Sequence, residues 1–286
     1  MQRYTALTRS SFLLLAMSAV ISLCAGCVFN EKASTSLHQS GLHAPEKKHI
    51  ARQLISAAEN SSLEWQQQYS FIKYNVEGNE QENRGYTAGI IGFTSRTHDM
   101  LALVEKYQQM APGNVLARFL PALKKVDGTS STEGLGPEFE AAWVQAAQDP
   151  KFQQAQEFEC DRIYFNPAVT QAMADGLREL GQFAYFDAIV MHGPGDDANS
   201  FDNIRAAALK RAKPPSQGGN ETAYLHAFLD ARKAAMRNEI SHQNTSRVDG
   251  IQRKYLVAGN FSLKLPLVFK VNDTPFEIRT MQSARL

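Results

Sequence analysis

The chain has 286 residues, of which 43% are hydrophobic and 21% are charged. These proportions are typical of a globular protein with a substantial core, and they exclude an intrinsically disordered chain. With 30 Lys and Arg residues against 29 Asp and Glu residues, the net charge of +1 provides no overall basic field for nucleic acid. Recognition of a charged polymer must therefore depend on where individual carboxylates lie.

Residues 1–27 have the pattern of an export signal. Arg3 and Arg9 precede an apolar run over residues 12–23, which is short for a membrane span. Without this segment, 28 basic residues face 29 acidic ones, a net charge of −1. We expect a secreted, extracellular protein without an integral membrane span. The small residues before Cys27 leave lipid anchoring through that cysteine as the alternative.

The predicted elements begin after a polar, non-periodic stretch over residues 28–43, which we interpret as a flexible linker. The folded domain is predicted over residues 44–286. Pro45 suits the first turn of a helix, apolar residues then recur at helical spacing as far as Glu59, and the polar residues 60–62 end the helix.

Beyond residue 62 the pattern predicts a second helix over residues 63–74, an exposed loop over 75–84 and an irregular strand over 86–94. Apolar periodicity predicts helices over residues 99–109, 114–125, 138–148, 152–166, 167–181, 183–191, 201–212 and 222–241. Residues 255–278 alternate as strands do. The fold class is therefore α+β and mainly helical.

Glu59 is a candidate general acid because it lies at the end of the first helix, beside the face that should be buried. An apolar flank disfavours the charged form of a carboxylic acid, which suits it to donate a proton. The loop that follows carries Glu77, Glu80 and Glu82. Glycoside hydrolysis requires a second carboxylate across a cleft, although paired carboxylates also occur by chance.

Seven ordered blocks of sequence give this pattern its context. They lie at residues 56–65, 84–93, 120–126, 180–185, 187–195, 230–236 and 245–249. Together they resemble the signature of the glycoside hydrolase family 46 chitosanases, and the resemblance extends from about residue 45 to about residue 272. It implies a lysozyme-like fold of two lobes with a substrate cleft between them. It also implies endo-hydrolysis of β-1,4-linked glucosamine chains with inversion at the anomeric carbon, and no cofactor.

The resemblance assigns roles to individual residues. Glu59 matches the family's general acid, and Thr87 matches the residue that helps to hold the attacking water. The family's base is usually an aspartate just before the Arg-Gly-Tyr-Thr block, whereas this chain has Glu82 there and a longer preceding loop. Glu82 is the predicted base, and Glu80 is the alternative.

Two further groups follow from the same match. Asp187, Arg232 and Arg247 match a charged network that lies behind the acid and links the lobes. The predicted substrate-binding residues of the cleft are Arg84, Asp99, Tyr164, His192 and Glu239. Among these, Asp99 is predicted to contact a glucosamine ammonium group. We interpret His192 as a cleft or structural histidine rather than a metal ligand, because no partner stands at ligand spacing.

We expect a monomer that acts on chitosan and glucosamine oligomers without a metal. Two other functions remain open from the sequence. A muramidase or lytic transglycosylase would share the lobed fold, although the sequence blocks disfavour it. A non-catalytic chitosan-binding protein would follow if the altered base position had abolished hydrolysis.

Overall fold

The computed structural model describes residues 41–195 and 197–279. The predicted signal, Cys27 and the linker up to residue 40 lie outside the described residues. The predicted linker extended to residue 43, but Gly41–His43 form a 3₁₀ turn with Leu42 fully buried. The amide of Leu42 donates a hydrogen bond to Gln182 Oε1 at 2.7 Å, which ties this turn to the domain.

The described chain is mainly helical. Its α-helices are α1 (Pro45–Asn60), α2 (Asp99–Met110), α3 (Leu120–Val126), α4 (Gly136–Ala146), α5 (Pro150–Cys160), α6 (Asn166–Ala174), α7 (Glu179–His192), α8 (Phe201–Leu209), α9 (Glu221–Arg237) and α10 (Lys254–Val257). Further 3₁₀ turns are Trp65–Ser70, Ala117–Phe119 and Pro215–Gln217, and two π-helical segments are Asp161–Phe165 and Val248–Arg253. The strands are β1 (Ile72–Tyr74), β2 (Tyr86–Ala88), β3 (Phe93–Thr94), β4 (Leu267–Val271) and β5 (Thr274–Ile278).

Local chemistry sets both ends of α1. Pro45 occupies the first turn, where its missing N–H costs no helical hydrogen bond. Ser61 adopts a left-handed conformation with φ 52°, which ends the helix as the sequence predicted. Ile50 and Leu54 are buried, so one face of α1 packs into the core and Glu59 projects from its last turn.

The region after α1 differs from the prediction. Residues 63–74 form a 3₁₀ turn and strand β1 instead of one helix, and residues 86–94 form β2 and β3 instead of one strand. Gly89 and Gly92 have positive φ angles between the two strands, which turns the chain back on itself. The result is a three-stranded antiparallel sheet in the order β1-β2-β3.

The tail also differs in part. Residues 254–257 are helical, and the predicted alternation holds only for the β4-β5 hairpin. Leu267, Phe269 and Val271 alternate inward, while Asn272 and Asp273 adopt left-handed backbone conformations that form its two-residue turn.

Helix α7 forms the centre of the core. Nearly every residue from Leu180 to Ile189 is buried, including Asp187. A helix that is buried on all sides must pair any charge it carries, because an isolated buried charge is strongly unfavourable. Within the described ranges no helix is long and apolar enough to cross a membrane.

Candidate active site

Two adjoining depressions form a cleft on the surface. The smaller is lined by Glu59, Thr87 and the Gly89–Gly92 turn, and the larger by residues of two loops that face each other. We call these the 75–85 loop, between β1 and β2, and the 238–244 loop, after α9. Arg84, Val190, Met191 and His242 line both depressions, so the two are continuous.

Glu59 lies at one side of the smaller depression. Its side chain is 38% exposed, and its Oε1 accepts a hydrogen bond from Arg247 Nη1 at 2.6 Å. The surroundings are therefore ionic on one side and open on the other, rather than apolar as the sequence suggested. Asn272 Nδ2 donates to the carbonyl of Ala58, which fixes this end of α1.

A buried ionic network stands behind Glu59. Asp187 accepts hydrogen bonds from Arg232 Nη1 at 2.5 Å, from Arg247 Nη2 at 2.6 Å and from Gln252 Nε2 at 2.6 Å. Burial alone would raise the pKa of Asp187, but the two guanidinium groups outweigh it and hold the pKa at about 2. Arg247 thus connects the centre of α7 to the last turn of α1. Sequence reasoning did not identify Gln252.

Thr87 lies on β2 and is 8% exposed. Its Oγ1 is buried and has no hydrogen-bond partner among the described residues. Because Thr87 lines the same depression as Glu59, its hydroxyl can hold a small polar molecule there.

Glu82, the predicted base, joins the two loops. Its Oε1 accepts a hydrogen bond from the Ile240 amide at 2.8 Å, and its Oε2 accepts bonds from the Ser241 amide at 3.0 Å and from the Ser241 hydroxyl. Asn79 Nδ2 donates a further bond at 3.3 Å. The Ser241 hydroxyl, followed by these other donors, lowers the pKa of Glu82 despite partial desolvation.

The other two loop glutamates have different surroundings. Glu80 is exposed and accepts hydrogen bonds from Asn75 and Asn83. The Glu77 side chain is only 4% exposed, and its Oε1 accepts from Arg84 Nε at 2.7 Å and from Nη2 at 2.5 Å. Glu77 Oε2 is buried without a hydrogen-bond partner in the described part of the chain.

Arg84, predicted to bind substrate, therefore also binds Glu77. Its side chain is 34% exposed and lies where the two depressions meet. Sequence reasoning included Glu77 among the loop carboxylates but gave it no role. No local sequence signal separates the three, because the burial of Glu77 depends on how Arg84 folds back onto it.

Asp99 begins α2 and is 4% exposed. Its Oδ1 accepts from the Thr94 amide and the Thr97 hydroxyl, each at 2.8 Å, and its Oδ2 accepts from the Tyr164 hydroxyl at 2.5 Å. Burial raises the pKa of Asp99 against these hydrogen bonds. Thr94, Thr97 and Tyr164 line the larger depression and Asp99 lies beneath them, so its contact with an ammonium group stays a prediction.

His192 and Glu239 lie together in the larger depression. His192 ends α7 with its side chain fully buried, and its Nδ1 is 3.6 Å from Glu239 Oε1. Glu239 also contacts His242. Burial raises the pKa of Glu239, but its contacts with His192 and His242 outweigh that and lower it to about 2, while burial lowers the pKa of His192. Over residues 41–195 and 197–279, no group of three or more His, Cys, Asp or Glu side chains is placed to hold a metal ion.

Comparison with known proteins gives consistent matches along the chain. The model of the family described as Glycosyl hydrolase family 46 matches residues 53–267. A chitosanase of Streptomyces sp. (strain N174) is 53% identical over 280 residues, covering 98% of this chain and 99% of the relative. A chitosanase of Nocardioides sp. (strain N106) is 56% identical over 247 residues, covering 86% of this chain and 87% of the relative.

Solved structures match the fold as well as the sequence. The structure of chitosanase OU01 with substrate has a TM-score of 0.80 and 50% identity, covering 84% of this chain and 99% of that one. The Gynuella sunshinyii chitosanase in complex with chitotetraose has a TM-score of 0.75 and 31% identity, covering 83% of this chain and 99% of that one.

Proposed function

The chain belongs to glycosyl hydrolase family 46, and from this membership we propose that it is a chitosanase that cleaves β-1,4 linkages within chains of glucosamine. The family resemblance found in the sequence and the mainly helical fold are both confirmed by the comparisons. The observation that carries the proposal is the position of Glu59, which faces the cleft while Arg247 holds one of its oxygens. The remaining carboxyl oxygen is left for the substrate.

The proposed reaction inverts the anomeric carbon and uses two carboxylates. Glu59 gives its proton to the glycosidic oxygen as the bond from C1 to that oxygen breaks. A water held by the Thr87 hydroxyl attacks C1 from the opposite face, and a carboxylate of the 75–85 loop accepts a proton from it. The hydroxyl stays on C1, and solvent later returns one proton to Glu59 and removes one from the base.

Charge in the cleft supports a cationic substrate. Four acidic residues line the larger depression, against two arginines: they are Glu77, Glu82, Asp197 and Glu239, with Arg84 and Arg96. A chitosan unit carries an ammonium group near neutral or mildly acidic pH, whereas an N-acetylated unit is neutral and gains less from these charges. The proposed partners are therefore chitosan and glucosamine oligomers, bound by a monomer.

Export remains part of the proposal, because it rests on residues 1–27 alone. The chain is expected in the medium of cells that express it. Determination of the mature N-terminus tests cleavage, and incorporation of a labelled fatty acid at Cys27 would instead demonstrate the lipid-anchored alternative.

Release of reducing ends from chitosan tests the activity. Glu59→Gln keeps the size of the side chain and removes the titrating proton, so activity should fall by about 100-fold or more while chitosan binding persists. The matched control is Glu64→Gln, an exposed glutamate just after α1. A Glu59→Gln variant with a tenth of wild-type activity would refute the assignment.

Two further measurements separate the other functions. Clearing of bacterial cell walls without release of chitosan ends would indicate a muramidase, and binding without hydrolysis by the wild type would indicate a chitosan-binding protein. Proton NMR of the first products shows the anomeric configuration, and an α-anomer from the β-linked polymer demonstrates inversion.

A further inference from the structure

The glutamates of the 75–85 loop differ in what their oxygens contact, and the difference concerns which of them is the base. A general base must reach the attacking water with a carboxyl oxygen that is free to accept a proton. From the contacts of these glutamates we propose that Glu77, rather than Glu82 or Glu80, accepts the proton from the attacking water. This inference rests on the proposed function.

Glu82 has both oxygens occupied. The Ile240 and Ser241 amides and the Ser241 hydroxyl donate to it across the cleft, and each donor points to the charged carboxylate. Protonation of Glu82 would remove an acceptor from groups that it now satisfies, which explains why its pKa is lowered. A carboxylate held in this way is a poor proton acceptor and a good connection between two loops.

Glu80 is badly placed for the same role. Its side chain is exposed, it lines neither depression of the cleft, and its oxygens accept hydrogen bonds from Asn75 and Asn83. A base in that position would act from bulk solvent and not on a water held against C1.

Glu77 has the features that the other two lack. Backbone pairing continues beyond β1, where the Asn75 amide donates to the Gly85 carbonyl at 2.9 Å, so Glu77 lies in the turn beside the segment that leads into β2. Arg84 fixes Oε1 with two donors, and the other oxygen is buried. The carboxylate is thereby oriented by a residue that lines both depressions of the cleft.

Three buried polar atoms of this hairpin have no partner among the described residues, namely Asn75 Oδ1, Glu77 Oε2 and Thr87 Oγ1. Of the three residues, Glu77 and Thr87 line the cleft. Leaving a buried polar atom unpaired is unfavourable, so such atoms usually have a partner in the working state. Glu77 lines the larger depression and Thr87 the smaller one, and Arg84 lies where the two meet. A water at this junction that contacts both atoms would satisfy Glu77 Oε2 and Thr87 Oγ1, since it can donate to the carboxylate and exchange a hydrogen bond with the hydroxyl.

The chemical step balances with these groups alone. The water oxygen forms a bond to C1, one water proton moves to Glu77 Oε2, and the C1–O bond breaks with its electron pair going to the leaving oxygen. Glu59 supplies the proton for that oxygen. Neither an oxidant nor a cofactor takes part.

The test compares Glu77→Gln, Glu82→Gln and Glu80→Gln on chitosan, with Glu64→Gln as the exposed control. We expect Glu77→Gln to lose about 100-fold or more in kcat with a small change in KM. Glu80→Gln should stay near wild type, and Glu82→Gln should keep at least a tenth of the activity. Thermal unfolding of each variant shows whether the fold is intact.

Azide provides a second readout that a structural role would not produce. In Glu77→Ala, azide should enter the vacated space and restore cleavage with an inverted product, and it should not stimulate Glu82→Ala. Rescue of Glu82→Ala alone, or a Glu77→Gln variant with a tenth of wild-type activity, would overturn the inference. Failure of the proposed function is a separate result, because it would appear as a wild type that does not cleave chitosan or as an active Glu59→Gln variant.

Discussion

The two sides of the cleft hold their carboxylates in different ways. Glu59 stands on the last turn of a helix, and Arg247 connects it to Asp187 in the middle of the buried helix α7. The facing glutamates stand on a loop, and the contacts of Glu82 cross the cleft to Ile240 and Ser241. The Glu59 side is therefore built into the core, whereas the geometry of the other side depends on contacts between loops.

We interpret this difference as a division of roles, in which one side of the cleft orients a catalytic group and the other lets the polymer enter. A proton donor needs a fixed direction toward the glycosidic oxygen, and buried ion pairs provide it. A cleft that binds a polymer must also let the polymer chain enter and leave. Loops with exposed contacts open at a lower free-energy cost than a core does. Substitutions on each side of the cleft test this division separately.

Asp187→Ala should have the largest effect on stability. It leaves Arg232 and Arg247 buried without their shared counter-ion, and breaking such a pair costs about 3–5 kcal/mol. Denaturant unfolding measures the change. The control is Glu133→Gln, which removes an exposed pair with Lys125 and should cost less than about 1 kcal/mol. Equal costs for the two variants would show that the network contributes nothing beyond a surface pair.

The same network predicts the acid limb of the stability curve. The pKa of Asp187 is lowered from 3.8 to about 2, so its contribution is complete above about pH 4 and is lost as the pH falls toward 2. The linked free energy is about 2 kcal/mol. Unfolding of the wild type and of Asp187→Ala between about pH 5 and pH 2 should show a steeper loss of stability in the wild type. Parallel curves would contradict the lowered pKa.

Thr87→Val should reduce activity without reducing stability. The substitution keeps the shape and removes a hydroxyl that has no hydrogen-bond partner among the described residues, so the folded state loses no such bond. Losing one hydrogen bond to the attacking water should lower kcat by about tenfold. Thr87→Ser keeps the hydroxyl and is the matched control. A Val variant as active as wild type would exclude the hydroxyl from the reaction.

Glu82→Gln should have the smallest effect, and it tests the loop side of the comparison. The amide keeps one acceptor oxygen but places an NH₂ group against the Ile240 or Ser241 donors, which weakens the contact between the loops. We expect KM for long chitosan to change by less than about tenfold and kcat to change little. Asn79→Ala removes a donor from the same carboxylate without changing its charge and should act in the same direction more weakly.

The features that were predicted best from the sequence are those that local chemistry decides. Pro45 and the residues after Glu59 fixed the ends of α1 because a missing N–H and a left-handed residue act within one turn. The three members of the Asp187 network were named from the family blocks, and the structure places them in contact. The site roles themselves stay predictions.

What the sequence missed depends on contacts between distant segments. Asp99 is buried by Tyr164, which is 65 positions away, and Glu82 is held by residues 158 and 159 positions away. No pattern in the sequence predicts that Arg84 folds back onto Glu77. For the loop carboxylates, position relative to a motif therefore did not predict which hydrogen-bond donors surround each oxygen.

The π-helical segments have a consequence for how the protein tolerates changes in length. Asp161–Phe165 contains Tyr164, and Val248–Arg253 follows Arg247 and contains Gln252. A π turn holds one residue more than an α turn, so a one-residue deletion there would leave a regular α-helix. The deletion would displace the side chains within the turn, including Tyr164 from Asp99 and Gln252 from Asp187. Viable relatives should therefore gain and lose residues in the 75–85 loop far more readily than in these two turns.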